Sequence, residues 1–149
     1  MEIQIRKGTK NDLPRLLELI QELADFENEP DAVVNSTEMM LEDGFGEKSI
    51  FDFVVAATDG RIIGASIYYY RYSTWKGRRL YLEDLIVTEQ YRGNGVGAML
   101  FEETIKIGKS TKCTGMMWQV LDWNQSAIDF YKKYETKFGN EWINCNIDF

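Results

Sequence analysis

The sequence predicts a mixed α/β fold, of the α/β or α+β kind, formed as a single domain over residues 1–149. Three observations carry that expectation. Apolar residues recur at helical spacing in separated segments, with alternating or continuous apolar runs between them. Hairpin signals come first along the chain. A strand–helix–strand crossover comes later. Hairpins pair strands antiparallel and crossovers pair them parallel, so the central β-sheet is expected to be mixed and flanked by helices. The expected order is β-α-α-β-β-β-α-β-α-β.

Each element has a local reason. Glu2-Ile3-Gln4-Ile5-Arg6 alternates polar and apolar, the pattern of a short strand. Thr9 with Asp12 resembles a capping box, and Asn11 is a second N-cap candidate that puts Pro14 in the first turn. Leu13, Leu16, Leu17, Ile20, Leu23 and Ala24 then recur at helical spacing. Residues 25–36 are acidic and irregular around Pro30. Ser36 or Thr37 caps a short helix through Met39, Met40 and Leu41, with Gly44 as its stop. Phe51 to Ala57 reads as a strand, Asp59-Gly60 as a two-residue hairpin turn, and Arg61 to Tyr70 as the partner strand, with Gly64 marking a bulge. Leu80 to Val87 is the next strand. A helix follows through Met99, Leu100, Ile105 and Ile107. Met116 to Leu121 reads as a buried strand, Ser126 to Tyr134 as a helix, and Trp142 to Ile147 as a last strand.

Composition excludes several function classes. Hydrophobic residues make up 44% and charged residues 28%, a globular balance. The net charge of −7 repels phosphate backbones, so no nucleic-acid partner is expected. There is no histidine, which removes Ser-His-Asp and Cys-His mechanisms and imidazole metal sites. The two cysteines, Cys113 and Cys145, make no disulfide framework and are expected to be free, buried small hydrophobes. The start Met1-Glu2-Ile3-Gln4-Ile5-Arg6 has no signal-peptide pattern, and no apolar run reaches the length of a membrane span. A cytoplasmic protein with no membrane partner is the expectation.

The most informative segment is Val87-Thr88-Glu89-Gln90-Tyr91-Arg92-Gly93-Asn94-Gly95-Val96-Gly97-Ala98, between a strand and a helix. Glycines let backbone approach a ligand, and a helix N-terminus favours an anion. Arg92 adds a fixed charge. Three phosphate-binding readings compete. Gly93-x-Gly95-x-x-Ala98 fits a relaxed dinucleotide fingerprint, but it sits mid-chain, and the region around Trp118, where an acidic residue belongs, offers no carboxylate until Asp122. Gly108-Lys109-Ser110 fails as a P-loop because Glu103 stands where the first glycine belongs. Arg92-x-x-Gly95-x-Gly97 resembles the pyrophosphate loop of the GNAT superfamily of N-acetyltransferases.

Other segments strengthen that resemblance. Leu80 to Val87 running into Tyr91-Arg92-Gly93-Asn94-Gly95-Val96-Gly97 is similar to the diamine (spermidine/spermine) and thialysine acetyltransferase branch. So are Leu41-Glu42-Asp43-Gly44-Phe45-Gly46, Trp123-Asn124 and Phe130-Tyr131-Lys132. The resemblance runs from about Ile5 to Ile147 and implies the GNAT fold. It also implies acetyl transfer from acetyl-CoA to the primary amine of a small cationic substrate, by direct attack, in a homodimer, with no metal.

By matched position, the resemblance assigns the residues as follows. Leu85, Ile86 and Val87 present backbone to the pantetheine and the acetyl carbonyl. Arg92, Gly93, Asn94, Gly95, Val96, Gly97 and Ala98 hold the pyrophosphate. Asn124 to Ala127 line the other side of the cofactor. Tyr131 is the general acid for the departing thiolate. Glu83 is the candidate base, directly or through a water. Phe26, Glu27, Trp75, Asp84, Met117, Trp118, Gln119 and Trp142 fall on the amine side. Glu83 and Asp84 face opposite ways on a regular strand, so both line one pocket only if a bulge intervenes.

The departures bear on the substrate. Ser73-Thr74-Trp75 stands where the family has Asp-Pro-Trp, and Asn140-Glu141-Trp142 where it has Glu-Gly-Trp. Asn124-Gln125-Ser126-Ala127 replaces Asn-Glu-Pro-Ser. Two substrate-side carboxylates are therefore absent or displaced. Polyamines and lysine-like amines lead as acceptors. An aminoglycoside, a protein amine, or a non-catalytic acyl-CoA sensor remain as alternatives.

Overall fold

A computed structural model describes all residues 1–149. The chain forms two compact units, Met1–Trp118 and Gln119–Phe149. The first holds a five-stranded sheet in the order β1 (Gln4–Lys7), β2 (Asp52–Thr58), β3 (Arg61–Ser73), β4 (Gly77–Val87) and β5 (Met116–Met117). β1 to β4 pair antiparallel, and β5 lies parallel to β4. The sheet is mixed, as the hairpin-then-crossover pattern predicts.

Two helices precede β2. α1 (Leu13–Phe26) carries Pro14 in its first turn, where a missing N–H is harmless. Asp12 fixes the entry: its carboxylate accepts from the Thr9 N–H at 2.7 Å and from both outer nitrogens of Arg6 at 2.8 and 3.0 Å. α2 (Thr37–Phe45) is capped by Ser36, whose hydroxyl accepts from the Met39 N–H at 3.1 Å. Gly44 does not stop this helix. The helix continues to Phe45, and the Gly46 N–H closes it on the Glu42 carbonyl. Gly44 instead makes room for the Phe51 ring, which a Cβ would meet at 2.7 Å.

One face of the sheet is covered by α1 and α2. Leu13, Leu16, Leu19 and Met40 bury against Phe53, Val55, Ala65, Ile67 and Ile86. Leu19 is fully buried although the sequence pattern passes over it, because α1 buries a stripe wide enough to take in the Leu16 side of the helix. The opposite face carries α3 (Val96–Ser110), with Val96, Leu100, Phe101, Thr104 and Gly108 buried. The buried Ser66 and Thr104 hydroxyls bond each other at 2.7 Å, so this face seals without an unpaired polar group.

Turns and bulges follow their residues. Asp59 and Gly60 both take positive φ, as a two-residue hairpin turn requires. The β2–β3 register slips between Ala56 and Ala57, leaving Ile63 as the extra residue beside Gly64. A Cβ on Gly64 would lie 2.7 Å from the Ile86 carbonyl oxygen.

The second unit contains α4 (Gln125–Tyr131), three residues shorter at its C-terminus than Ser126–Tyr134 suggests. Beyond it the chain makes turns and then runs without regular structure to Phe149. The strand expected over Trp142–Ile147 is absent, because no ladder partner accompanies it and an unpaired extended backbone is not a strand. β5 is likewise two residues rather than six, since its ladder with β4 ends at Tyr81–Met117. Cys113 is half-buried and free; Cys145 lies in the irregular tail and is exposed rather than buried. No helix is long and apolar enough to cross a membrane.

Candidate active site

The site is built around an irregularity in β4. Tyr68 pairs with Leu82, and the next β3 residue, Ile67, pairs with Asp84. Glu83 is therefore the extra residue of a β-bulge. The bulge reverses the alternation of the strand. Before it, Tyr81 shares the α1 face with Tyr69, their rings 5.3 Å apart. After it, Ile86 packs into the core under α1. Glu83 and Asp84 consequently face the same side, which a regular strand forbids.

Their surroundings make them unlike. Glu83 is exposed and accepts from the Tyr69 hydroxyl at 3.1 Å. Asp84 is half-buried, and desolvation pushes its carboxyl up from 3.8 to about 7, with the charges of Glu83 and Glu27 adding to the shift. Glu27 caps the end of α1 through its N–H to the Leu23 carbonyl, and burial raises its carboxyl too. The Tyr69 phenol is pushed up to about 12 by burial and by Glu83, so it stays a hydroxyl donor at neutral pH. The arrangement can take up a proton near pH 7 and favours a cation in front of it.

β4 runs from this cluster into the glycine loop. β5 pairs with β4 only at Leu80 and Tyr81, so from Leu82 to Val87 that edge has no ladder partner. Leu85, Ile86 and Val87 lie on this stretch, with Ile86 buried and Leu85 and Val87 half-buried. After a short 3-10 turn at Glu89–Tyr91, Gly93 and Gly95 take φ of 80° and 79°. Nothing lies within 4 Å of a Cβ built on either, so the space above the loop is open. Gly95 caps α3 and has no side chain to occupy the first N–H groups of Val96, Gly97 and Ala98. No acidic residue stands in that turn. These open donors at a positive helix end suit a pyrophosphate. Asn94 folds over the loop, its amide donating to the Tyr91 and Arg92 carbonyls at 3.1 and 3.3 Å.

Arg92 folds back over the surface toward the end of β4 and α1. Its Nε donates to the Val87 carbonyl at 2.9 Å, its guanidinium lies 5.3 Å from the centre of the Phe26 ring, and it stands 3.9 Å from Glu22. Glu22 is not among the site residues the sequence points to. Its spacing of four residues before Phe26 is the only sequence signal, since one helical turn aligns them.

The remaining positions divide. Met117 pairs with Tyr81 and receives an Arg71 N–H on its sulfur at 3.3 Å. Trp118 turns to the other side, edge-on to Phe101 at 5.2 Å. Trp75 is not brought to the carboxylates. It sits 87% exposed at the tip of the β3–β4 hairpin, and from Gly77 to Glu83 the strand climbs roughly 20 Å. In the second unit, Asn124 caps α4 by accepting from the Ala127 N–H at 3.2 Å. Tyr131 is buried at the end of α4, its ring 5.3 Å from Phe130. Gln119 donates to Asn144 at 3.1 Å, and Trp142 is 83% exposed.

The chain is similar to known acetyltransferases. The acetyltransferase (GNAT) family profile matches residues 15–135. A thialysine N-epsilon-acetyltransferase of Bos taurus is 38% identical over 138 residues, covering 87% of this chain and 81% of that protein. The human spermidine/spermine N(1)-acetyltransferase-like protein 1 is 38% identical over 135 residues, 86% of this chain and 19% of that protein. Among solved structures, an aminoglycoside acetyltransferase from an uncultured soil sample, in complex with sisomicin, matches the fold with a TM-score of 0.80 at 18% identity, covering 99% of this chain and 96% of that one.

Proposed function

Since the chain belongs to the acetyltransferase (GNAT) family and is an N-acyltransferase, we propose that it transfers the acetyl group of acetyl-CoA to the primary amine of a small cationic molecule, a polyamine or lysine-like amine. The observation that carries this reading is the β4 bulge. It turns two carboxylates to one side, one of them titrating near neutrality, on the strand that enters the glycine loop. Relatives named for thialysine and for spermidine/spermine support the amine class.

Acetyl-CoA supplies a thioester carbonyl that a neutral amine attacks. The open donors of Gly93 to Ala98 fit its pyrophosphate, with Arg92 behind them. Leu85 to Val87 offer backbone groups to the pantetheine, and one N–H there donates to the carbonyl oxygen as charge builds on it. By the family resemblance, Asn124 and Ala127 line the cofactor and Tyr131 protonates the departing thiolate.

An alkylammonium has a pKa of about 10, so it arrives protonated and cannot attack. Glu83 takes that proton directly or through a water, and Asp84, its carboxyl raised to about 7 by burial, stands beside it to share the proton. The pair therefore works as the base. Glu27, Phe26 and Met117 complete the amine side. A second copy of the chain is the expected partner. The tail supports this: Ile143, Ile147 and Phe149 alternate with polar residues in strand fashion and are exposed. Free cysteines accord with a reducing, cytoplasmic setting.

Thiol release from acetyl-CoA against spermidine, spermine, thialysine, lysine and an aminoglycoside tests the reading. Release with a polyamine or lysine-like amine is expected. Acetyl-CoA that raises the melting temperature while no amine releases thiol points to a sensor instead.

A further inference from the structure

We propose that Glu22 is a positioning residue for the cofactor loop: it fastens the segment Thr88–Arg92 to α1 and so fixes where the Gly93–Ala98 amides point. The inference rests on the reading of that loop as the acetyl-CoA site.

The geometry is specific. Glu22 sits on α1, more than sixty residues from the loop in sequence, with its side chain 30% exposed. The Thr88 hydroxyl lies 3.1 and 2.9 Å from its two oxygens. The Glu89 N–H, the first donor of the 3-10 turn, reaches Oε1 at 2.9 Å. Arg92 approaches the same oxygen at 3.9 Å, and its guanidinium rests on the Phe26 ring one helical turn further along α1. One carboxylate thus gathers a hydroxyl, an amide and a guanidinium from a span of five residues.

Little else ties that span down. The Thr88 N–H bonds the Ile63 carbonyl and Arg92 Nε bonds the Val87 carbonyl, which hold the loop to the sheet. The Tyr91 and Arg92 N–H groups and the Asn94 amide close the loop on itself. Glu22 is where the Thr88 hydroxyl and the Glu89 N–H reach α1. Gly93 and Gly95 follow at once, with nothing packed above them. A glycine pair has broad conformational freedom, so the direction of its amides depends on the anchored residues before it.

Acceptor capacity, more than charge, is what the donors need. An orphaned amide and hydroxyl at the base of the loop favour its opening. Glu22→Gln keeps an acceptor oxygen; Glu22→Ala removes it; Thr88→Val removes one donor and leaves Glu22 in place.

The test reads the free protein first. Hydrogen exchange of the amides at 93–98 is compared between wild type, Glu22→Ala, Glu22→Gln and Thr88→Val. Acetyl-CoA affinity is then taken by calorimetry, and kcat at saturating acetyl-CoA. For Glu22→Ala the expected result is exchange at 93–98 faster by roughly tenfold, a Kd raised by roughly tenfold, and kcat within about twofold of wild type. Thr88→Val should move both in the same direction by less, and Glu22→Gln should recover most of the loss.

Glu22→Ala exchanging and binding as wild type does overturns the proposal. So does tighter binding, which would mean that a released Arg92 outweighs loop position. Faster exchange throughout the chain, with kcat and both KM values worsened alike, assigns Glu22 a general structural role. Should Glu22→Ala fail to fold, Thr88→Val and Glu22→Gln decide on the same readouts. A wild type that does not bind acetyl-CoA removes the cofactor reading, while exchange at 93–98 still reports whether Glu22 holds the loop.

Discussion

Asp12 and Asp84 are the same side chain shifted in opposite directions, and the difference separates folding from chemistry. Arg6 and the Thr9 donors hold Asp12 down to about 2. Its bonds stabilise the fold above the ordinary carboxylate pKa, and that contribution is lost as pH falls through about 2. Asp12→Asn should therefore lower stability by about 2 kcal/mol at pH 7, with the gap to wild type closing as pH falls toward 2; urea melts across pH measure it. Asp84 behaves in the reverse sense. Its folded pKa is raised to about 7, so the fold is favoured while the group is protonated and loses stability as pH rises from about 4 to about 7. Asp84→Asn should be no less stable than wild type at pH 8 and relatively weaker at pH 4. A variant less stable than wild type at pH 8 would contradict this assignment. Asp84 is thus retained against stability, as a proton-handling group is expected to be.

Two irregularities in the sheet place the elements that matter. The bulge at Glu83 faces both carboxylates one way, and the slip at Ile63 beside Gly64 brings β3 against the Ile86 carbonyl. Gly64→Ala should destabilise by about 1–3 kcal/mol, since its Cβ meets backbone that cannot swing aside. Gly95→Ala should lower stability by only about 1 kcal/mol for its positive φ, yet weaken acetyl-CoA binding far more than that, because it caps α3 at the open donors; melting and calorimetry together separate the two effects. The helices, the Asp59-Gly60 turn and the glycine loop were legible in sequence because periodicity, caps and turn residues are local signals. The Glu83 bulge was legible only as a condition. A bulge is a matter of register between two strands, which neither strand carries alone. Glu22 was hidden for the same reason, its partners Thr88, Glu89 and Arg92 being remote in sequence. The strand expected at 142–147 does not form, because a strand also needs a neighbour and the segment has none.

The whole chain carries −7, yet the loop expected to receive a phosphorylated cofactor has no acid in its helix turn. Three carboxylates, Glu27, Glu83 and Asp84, act on one another where a cation is wanted, and long-range attraction to an ammonium should weaken with salt. KM for the amine should accordingly rise with ionic strength while kcat holds. The exposed apolar tail makes an assembly prediction: Ile147→Lys should shift a dimer toward monomer in light scattering, and an unchanged monomeric mass in wild type would remove the homodimer. The central claim is that the bulged pair accepts the proton of the incoming amine. The pH dependence of kcat/KM for wild type, Glu83→Gln and Asp84→Asn tests it most directly. A wild-type limb rising through about pH 7 is expected, displaced to lower pH in Glu83→Gln, where a like charge beside Asp84 is gone, and abolished in Asp84→Asn with a large fall in rate. A limb that stays in place at full rate in both variants would contradict it.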